Sequence, residues 1–410
     1  PVYLVLGNTL DATMRQQGYE WWHSLQDASA MVRDYVKWDD TPASLQHFGE
    51  SAVRAYKIAM TPPMMPVLLV LDGGLQEDPI SPEVTSRLRI PKLTRATPPQ
   101  GDSGAVAEAA QLLVNARNPV IVADRAARTP AGIQKLVELA EALQAPVIDQ
   151  GGRMNFPSRH PLNQSGSARQ LVADADVILG LELTDFWGTV SAVRDGLTRT
   201  SRSLIKPGTK LISITALDLA TKGNYQDFQR YPEVDVAMAA DAEARLPALT
   251  EACKRLITTE KRSAFQERGK KLAQAHAAAL DRARAEAAYG WDASPISTAR
   301  LTMELWAQIK KEDWSLVAES GIMSDWTDRL WNRDKHYQSL GGSGGAGVGY
   351  GAPAAVGAAL ANKKHGRLSV TIQGDGDFMY APGVWWTAAH HRIPLLAVMH
   401  NNRAYHQEVM

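Results

Sequence analysis

The segment covering residues 368–402 constrains the fold more than any other part of this 410-residue chain. The run Leu368-Ser369-Val370-Thr371-Ile372-Gln373 predicts a strand that leads directly into Gly374-Asp375-Gly376-Asp377. A helix is expected from about Pro382 to His391, because proline favours a first helical turn. A second apolar strand then ends at Asn401-Asn402. The pattern predicts one strand–helix–strand unit with parallel strands, whose carboxyl ends lie at the same sheet edge, where open α/β sheets bind ligands.

Asp375 and Asn402 would therefore lie on neighbouring loops at that edge. Carboxylate and amide oxygens are hard ligands that suit Mg2+ or Ca2+, and Mg2+ usually shares its coordination shell with phosphate oxygens. Gly374 and Gly376 let the backbone approach a ligand closely. Taken alone, Gly-Asp-Gly is more often a plain turn, and Asn-Asn could be a strand-end cap. Their placement across one strand–helix–strand unit favours a metal and diphosphate site.

A second glycine-rich stretch precedes this unit. Residues 341–353 are dense in glycine and lead directly into an Ala-rich helix predicted at 354–362. Such density lets a backbone pass tightly against a ligand. A flexible linker is the alternative interpretation, but the helix that follows at once favours a binding loop.

The length of the chain predicts more than one core, and apolar runs of strand length alternate with helical stretches. We therefore predict an α/β protein with three doubly wound parallel-sheet domains, of which the first and third are incomplete. The predicted domains cover 1–95, 104–250 and 294–410, with a polar linker at 84–103 and a solvated helical linker at 251–293. In the first two blocks the predicted strands are 2–6, 66–72, 119–123, 146–148, 175–179 and 210–214, and the predicted helices are 26–33, 49–60, 104–116 and 130–143.

Composition excludes several classes of function. Lys plus Arg and Asp plus Glu both number 44, so the chain lacks the basic character of a nucleic-acid-binding protein. The sequence contains no apolar run of about 18 residues, so we expect no membrane span. The single cysteine, Cys253, fits a cytoplasmic location. The strand-like start and the helix-like end suggest that the sequence is a piece of a longer protein.

The glycine-rich loop, the helix starting at Pro353, the Gly-Asp-Gly motif and the Asn-Asn pair, in this order, resemble the cofactor-binding domain of the thiamine-diphosphate (ThDP) enzymes, the superfamily of acetolactate synthase, benzoylformate decarboxylase and pyruvate decarboxylase. The resemblance extends over the whole chain. The three blocks are similar to part of the pyrimidine-binding domain, the central domain and most of the diphosphate-binding domain. It implies ThDP and Mg2+ as cofactors, a 2-oxo acid as small-molecule substrate, and a homodimer or homotetramer.

The resemblance also implies roles for individual residues of the third block. Asp375, the side chain of Asn402 and the backbone carbonyl of Ala404 would bind Mg2+. Gly376 and Asp377 would approach the diphosphate, although many relatives have Ser or Ala at the second of these positions.

Four further residues resemble cofactor contacts of the family. Val348 would support the bent conformation of ThDP, and the carbonyl of Ala346 would accept its 4'-amino group. Gly321 lies in a stretch similar to the other diphosphate loop. Gln26 is similar to a glutamine near the cofactor of the neighbouring subunit.

The last residues match the Asn-Asn-x-x-Tyr-x-x-Glu pattern of pyruvate decarboxylases, in which the glutamate handles protons beside the thiazolium. Glu408 occupies that position, and Gln407 would shape the substrate pocket. A carboxyl group in a partly dry pocket has a raised pKa and can act as acid or base; a solvated helix glutamate is an equal alternative. The glutamate that activates the cofactor in this family would lie upstream of residue 1.

Together these features predict a ThDP- and Mg2+-dependent decarboxylase of 2-oxo acids, with or without carboligation. The alternatives are an acetolactate-synthase-like carboligase and a non-catalytic regulatory protein with the same fold. The segment Gln150–Pro157 resembles the decarboxylase branch, and Asp124-Arg125 follows strand 119–123 in place of a glycine run. FAD is therefore not expected.

Overall fold

The computed structural model describes residues 2–14, 24–195, 197–220, 227, 230–319, 325–342 and 347–405. Its strands form sheets of three, five and three strands and one two-stranded pair. The predicted α/β class with parallel sheets is confirmed. None of the described helices is both long enough and apolar enough to span a bilayer.

The strands, in chain order, are β1 Tyr3–Asn8, β2 Trp38–Asp40, β3 Val67–Asp72, β4 Pro119–Ala123, β5 Val147–Asp149, β6 Val177–Leu181, β7 Ser191–Asp195, β8 Thr200–Ser203, β9 Lys210–Thr215, β10 Val236–Ala239, β11 Trp314–Glu319, β12 Leu368–Gly374 and β13 Leu396–His400. The α-helices are α1 Leu45–Met60, α2 Gly73–Glu77, α3 Pro82–Arg87, α4 Ser103–Asn115, α5 Pro130–Leu143, α6 Ala168–Asp174, α7 Phe186–Thr189, α8 Ala242–Leu256, α9 Thr259–Ala288, α10 Thr298–Ile309, α11 Trp326–Leu330, α12 Gly351–Lys363, α13 Asp375–Tyr380 and α14 Gly383–His390. Short 3-10 turns cover Ala12–Met14, Ser29–Met31, Ser165–Ser167 and Ala216–Ala220.

The chain divides into two compact units. The first comprises Pro1–Asp102, Ile214–Pro232 and Met238–Ala244, and the second comprises Ser103–Ser213, Glu233–Ala237 and Arg245–Met410. The predicted three-domain boundaries stay a prediction.

The first unit contains the parallel sheet β1-β3-β2. Strand β3 is its centre, because five of its six residues are buried. Helix α1 packs Ala55 and Ala59 against Val67 and Leu69 of this strand. Helix α1 begins earlier than predicted, because Ser44 caps it by accepting a hydrogen bond from the backbone of His47.

The helix predicted at 26–33 is wrong. This segment consists of turns with one 3-10 turn at Ser29–Met31. The Asp27 carboxylate accepts the Ala30 N–H at 3.1 Å, and this local bond competes with helical hydrogen bonding. Asn8 at the end of β1 holds the start of the loop through two hydrogen bonds to the backbone of Leu25, of 2.7 and 3.1 Å.

The five-stranded sheet has the order β10-β9-β6-β4-β5. Its centre is formed by β4 and β6, which pair in parallel and are buried along their whole length. Because sheets with helices on both faces hide both sides of each strand, these runs read as continuously apolar in the sequence.

The predicted helical linker over residues 251–293 comprises the end of α8 and the whole of α9. The side chain of Thr258, between the two helices, accepts the Lys261 N–H and caps α9. Within the second unit, α9 contacts the end of α5 through Arg268, whose Nε donates to the Gln144 carbonyl at 2.9 Å.

The third sheet has the order β11-β12-β13, and both pairs are parallel. Trp314 and Trp331 form the centre of its core and are 1% and 0% exposed. Trp306 stacks on Trp331 at 5.6 Å, and Trp331 Nε1 donates to the Thr302 carbonyl at 3.0 Å. This packing holds the base of β12, whose far end carries the candidate site.

Candidate active site

The Gly-Asp-Gly and Asn-Asn motifs lie at one edge of the third sheet. Strands β12 and β13 pair in parallel from Val370 opposite Leu396 to Gly374 opposite His400. The next residues of each strand, Asp375 and Asn401, therefore leave the sheet side by side. The strand–helix–strand unit predicted from the sequence is present.

Asp375 and Asn402 are in direct contact. The Asn402 backbone N–H donates to Asp375 Oδ1 at 3.1 Å. The Asn402 side-chain oxygen accepts the Ala404 N–H at 3.2 Å, which holds this loop in a tight turn. These two hydrogen bonds link Asp375, Asn402 and Ala404 in one short chain, and carboxylate, amide and carbonyl oxygens are the hard ligands that Mg2+ prefers.

Among the described residues, no group of three His, Cys, Asp or Glu side chains could hold a metal ion. The candidate set differs from such a group, because Asp375 is its single acidic side chain and the other oxygens come from an amide and the backbone. Its donors suit a metal ion that completes its shell with water or phosphate oxygens.

Glycine is required at two places around this edge. A Cβ on Gly376 would clash with the ring of Tyr405, whose hydroxyl donates to the Gly376 carbonyl at 3.4 Å. Gly349 has a φ of +81°, and a Cβ there would lie 2.5 Å from the Tyr380 Cβ. The Gly349 N–H also donates to Asp377 Oδ1 at 3.5 Å, so the glycine-rich loop contacts the Gly-Asp-Gly turn.

A cavity of about 500 Å3 opens beside the Asp375 loop. Asp375 and Ala404 contribute to its lining together with the aromatic and sulfur-containing side chains of Phe378, Met379, Trp385, Met399 and Tyr405. Phe378 and Trp385 stack with ring centroids 4.6 Å apart. The edge therefore combines a polar oxygen set with an apolar wall, as small-molecule sites commonly do.

A buried polar network supports β12 beneath the site. Gln373 is 0% exposed, and its Nε2 donates to Thr371 Oγ1 at 2.7 Å. The Thr371 hydroxyl donates to the Ala318 carbonyl at 3.0 Å. Since buried polar groups rarely change partners without cost, the network locks β12 against β11 in one arrangement.

In the central sheet, the side chain of Asp124 occupies the carboxyl edge. It accepts the N–H and the hydroxyl of Thr184 at 3.3 and 2.7 Å. Asp149 accepts from the backbones of Gly151, Asn155 and Phe156. Burial raises the pKa of Asp149 to about 6 despite these donors.

The comparisons with known proteins agree with this geometry. The family model of the central domain of thiamine pyrophosphate enzymes matches residues 106–249, and that of their C-terminal TPP-binding domain matches residues 319–409. The second range contains both motifs of the sheet edge.

The chain belongs to the superfamily of thiamine-diphosphate-dependent enzymes.

Individual relatives extend the match. Benzoylformate decarboxylase of Pseudomonas aeruginosa is 26% identical over 391 residues, which cover 92% of this chain and 65% of that protein. A probable acetolactate synthase large subunit of Methanocaldococcus jannaschii is 25% identical, over 85% of this chain and 57% of that protein. The crystal structure of benzoylformate decarboxylase from Polynucleobacter necessarius has a TM-score of 0.71 at 21% identity, covering 98% of this chain and 69% of that one, and shows the shared fold. The chain thus spans less than two thirds of the length of these two curated relatives.

Within this superfamily, the residues at the sheet edge fit a Mg2+–diphosphate group. Gly349 and Gly376 let the two loops pack closely against Tyr380 and Tyr405, and the oxygen atoms of Asp375 and Asn402 are of the type that binds Mg2+. No contact with Asp375 or Asn402 is described for the remaining predicted residues. Val348 is 62% exposed on the glycine-rich loop, and Gln26 is exposed in a turn of the first unit. Gly321, Ala346, Gln407 and Glu408 lie outside the described residues.

Sequence reasoning missed three residues of this edge. Tyr405 and Tyr380 pack together with ring centroids 5.8 Å apart and press against the two glycines. Gln373 supports the edge from below. None of the three carried a distinct signal in the sequence, since Gln373 lies in a strand that also contains Ser369 and Thr371.

Proposed function

We propose that this protein is a ThDP- and Mg2+-dependent enzyme that decarboxylates 2-oxo acids. The observation that carries the proposal is the hydrogen bond of 3.1 Å between the Asn402 N–H and the Asp375 carboxylate, at the adjacent ends of two parallel strands. The similarity to benzoylformate decarboxylase supports the choice of reaction.

The cofactor would be held by this chain's own oxygen atoms. Asp375, the side chain of Asn402 and the Ala404 carbonyl would bind Mg2+, and Gly374, Gly376 and Asp377 would line the diphosphate. ThDP supplies the carbanion-stabilising chemistry when it is bound, while the protein binds and orients it. Asp377 is already oriented by the Gly349 N–H, which reduces its repulsion of an anion nearby.

Further residues would complete the site as the family resemblance implies. Val348, the Ala346 carbonyl, Gly321 and Gln26 would contact the cofactor. Gln407 would line the substrate pocket and Glu408 would move a proton at the reacting carbon. A glutamate in a partly dry pocket keeps its proton near neutral pH and can donate it.

The test is the release of CO2 from a panel of 2-oxo acids by the purified protein with ThDP and Mg2+. We expect CO2 and an aldehyde, with no release when Mg2+ is removed by a chelator. Absence of CO2 from every 2-oxo acid, with ThDP binding intact, would favour a non-catalytic member of the fold. A Glu408→Gln variant should bind ThDP normally and lose most of the activity.

A second candidate is an acetolactate-synthase-like carboligase, which the similarity to the Methanocaldococcus jannaschii protein favours. The product decides between them. Acetolactate from pyruvate would identify the carboligase, whereas acetaldehyde would identify the decarboxylase.

The proposal includes a cytoplasmic homodimer or homotetramer. Large side chains near the candidate site support an interface, since Met379 and Trp386 are 68% and 67% exposed and Met399 is half exposed. Exposed apolar clusters commonly mark protein contacts. Size-exclusion chromatography with light scattering would show whether the protein is a monomer, which would contradict this part.

A further inference from the structure

A second cavity, of about 760 Å3, lies in the second unit and shares no lining residue with the cavity beside Asp375. Three parts of the chain form it: the loop that follows β5 (residues 149–167), helix α9 (276–286) and the segment 325–339. We call it the arginine cavity, because Arg153, Arg159, Arg282, Arg329 and Arg333 line it. Its volume lies in the range of about 300–1,000 Å3 that is usual for small-molecule sites.

Two of the four carboxylates that line the arginine cavity are paired with arginine. Glu286 pairs with Arg329, and Asp328 pairs with Arg333. Asp149 is enclosed by hydrogen bonds from its own loop. The five arginines therefore outnumber the four carboxylates of the lining. Asp325, which is exposed, adds one negative charge at the rim.

Arg159 has no carboxylate among its recorded partners in the described chain. Its Nη1 donates to the Arg329 carbonyl at 3.2 Å and its Nη2 to the Trp331 carbonyl at 2.9 Å, both of which are neutral. Burial lowers the pKa of Arg159, and the positive charges of Arg284 and Arg333 lower it further. A guanidinium in this position gains most from an anion, because unpaired charge away from water is costly.

Arg282 adds a second cation to the lining of the arginine cavity. It lies on α9, is exposed, and forms no recorded ion pair or side-chain hydrogen bond with the described residues. Guanidinium groups bind carboxylate and phosphate through paired N–H donors, so two of them define a site for an acidic group.

Two buried nitrogen atoms of the lining lack partners among the described residues. They are His276 Nε2 and Arg333 Nε. The other ring nitrogen of His276 bonds to the Asn163 carbonyl at 2.8 Å, which orients the ring. Buried polar groups are normally satisfied, so these two atoms leave unused hydrogen-bonding capacity within the residues that line the cavity. Ser165 and Ser167, also in the lining, can exchange hydrogen bonds with hydroxyl groups.

We propose that the arginine cavity binds a small hydroxylated organic anion, whose carboxylate or phosphate pairs with Arg159 and Arg282. The cavity is much larger than inorganic phosphate, and its polar wall suits the hydroxyl groups of such a molecule. The site does not depend on the proposed function, because none of its residues belongs to the ThDP edge.

The proposal is tested by isothermal titration calorimetry with glycerol 3-phosphate and with L-malate, in excess Mg2+ and saturating ThDP. One arm carries the phosphate form of the acidic group and the other the carboxylate form. We expect at least one probe to bind, and Arg282→Ala to weaken that binding about tenfold or more, the size of a lost charged hydrogen bond. The probe with the higher affinity identifies the acidic group.

The matched control is Arg262→Ala, which removes the same charge from an exposed position of the same helix. Arg262 does not line the cavity. It should bind both probes as the wild type does. Equal affinities in Arg282→Ala and Arg262→Ala would overturn the proposal, as would the absence of binding by the wild type up to about 10 mM of each probe, which is weaker than ordinary ligand affinities.

Discussion

Asp375→Ala and Asp72→Ala form a matched pair of substitutions. Both carboxylates follow a buried parallel strand, and both precede a glycine. Asp72 accepts the backbone N–H groups of Leu10, Asp11 and Gly74, at 2.6, 3.2 and 3.2 Å. Asp375 accepts one, from Asn402 at 3.1 Å. The two sites therefore differ in how many backbone groups they hold and in the Asn-Asn pair that only the second has.

These contacts predict that Asp72→Ala lowers stability more than Asp375→Ala does, whereas Asp375→Ala weakens cofactor binding more. A hydrogen bond to a charged group contributes about 1.5–3 kcal/mol when it is buried and less when water competes. Asp72→Ala removes three such bonds at a partly exposed site, so the free energy of unfolding should fall by about 2–4 kcal/mol. Asp375→Ala removes one and should cost about 1 kcal/mol. Its loss of a metal ligand should weaken Mg2+-dependent ThDP binding about 100-fold or more, because even outer partners of metal ligands contribute 10–100-fold.

The assay has two measurements on each variant. Equilibrium dialysis with ThDP, with Mg2+ or with a chelator, gives the metal-dependent affinity. Denaturant unfolding of the cofactor-free protein gives the stability. Asp375→Asn serves as a size-matched variant that keeps one oxygen and should fall between wild type and Asp375→Ala in ThDP affinity.

The reasoning would be refuted if Asp375→Ala retained ThDP as tightly as the wild type does. It would also fail if Asp72→Ala lost ThDP to the same extent while remaining folded, because the effect could not then be assigned to the metal ligand.

Three further predictions concern stability. The folded-state pKa of Asp149, about 6, lies above the unfolded value of about 3.9, so its protonation favours the folded state. This contribution, roughly 3 kcal/mol, is fully present below about pH 4 and is lost as the pH rises through about 6. The unfolding free energy of the wild type relative to Asp149→Asn should therefore fall between pH 4 and pH 8, and a flat difference would contradict the assignment. Gly341→Ala should lower the melting temperature and cost about 1–3 kcal/mol, because Gly341 has a φ of +76° and a Cβ there would lie 2.7 Å from a backbone carbonyl oxygen. The control is Gly342→Ala, whose Cβ would meet nothing within 4 Å. Equal effects of the two substitutions would argue against the close approach at Gly341. Trp331→Phe should lower the free energy of unfolding by about 1–3 kcal/mol, since Trp331 is fully buried and hydrogen-bonded. Trp386→Phe, at an exposed site, should change it by less than about 0.5 kcal/mol. A larger loss of stability from Trp386→Phe than from Trp331→Phe would contradict this prediction.

The central strands and several of the longer helices could be predicted from the sequence because their signals are local, whereas the short strands β2, β7, β8 and β10 were not predicted. The run at 119–123 is apolar throughout, as strands covered on both faces commonly are. Residues 368–373 alternate between apolar and polar side chains, a period of two that is typical of strands. Helices at Ser103–Asn115 and Pro130–Leu143 agree with their predicted bounds to within a residue. The segment 26–33 was predicted wrongly because its composition suits a helix, while the Asp27 side chain and the anchor from Asn8 hold it in turns.

The sequence by itself determined that two strands end in Gly-Asp-Gly and Asn-Asn and that a helix connects them; the structure adds a second short helix, α13, ahead of the predicted one. Parallel pairing then follows from chain geometry, so the contact between Asp375 and Asn402 was predictable. Only the tertiary structure decided which side chains surround that edge. The ring of Tyr405 against Gly376, and the shared lining of one cavity by Arg159 and Arg282, bring together residues far apart in sequence. Such neighbours depend on how separate elements pack, and neither periodicity nor spacing along the chain records that packing.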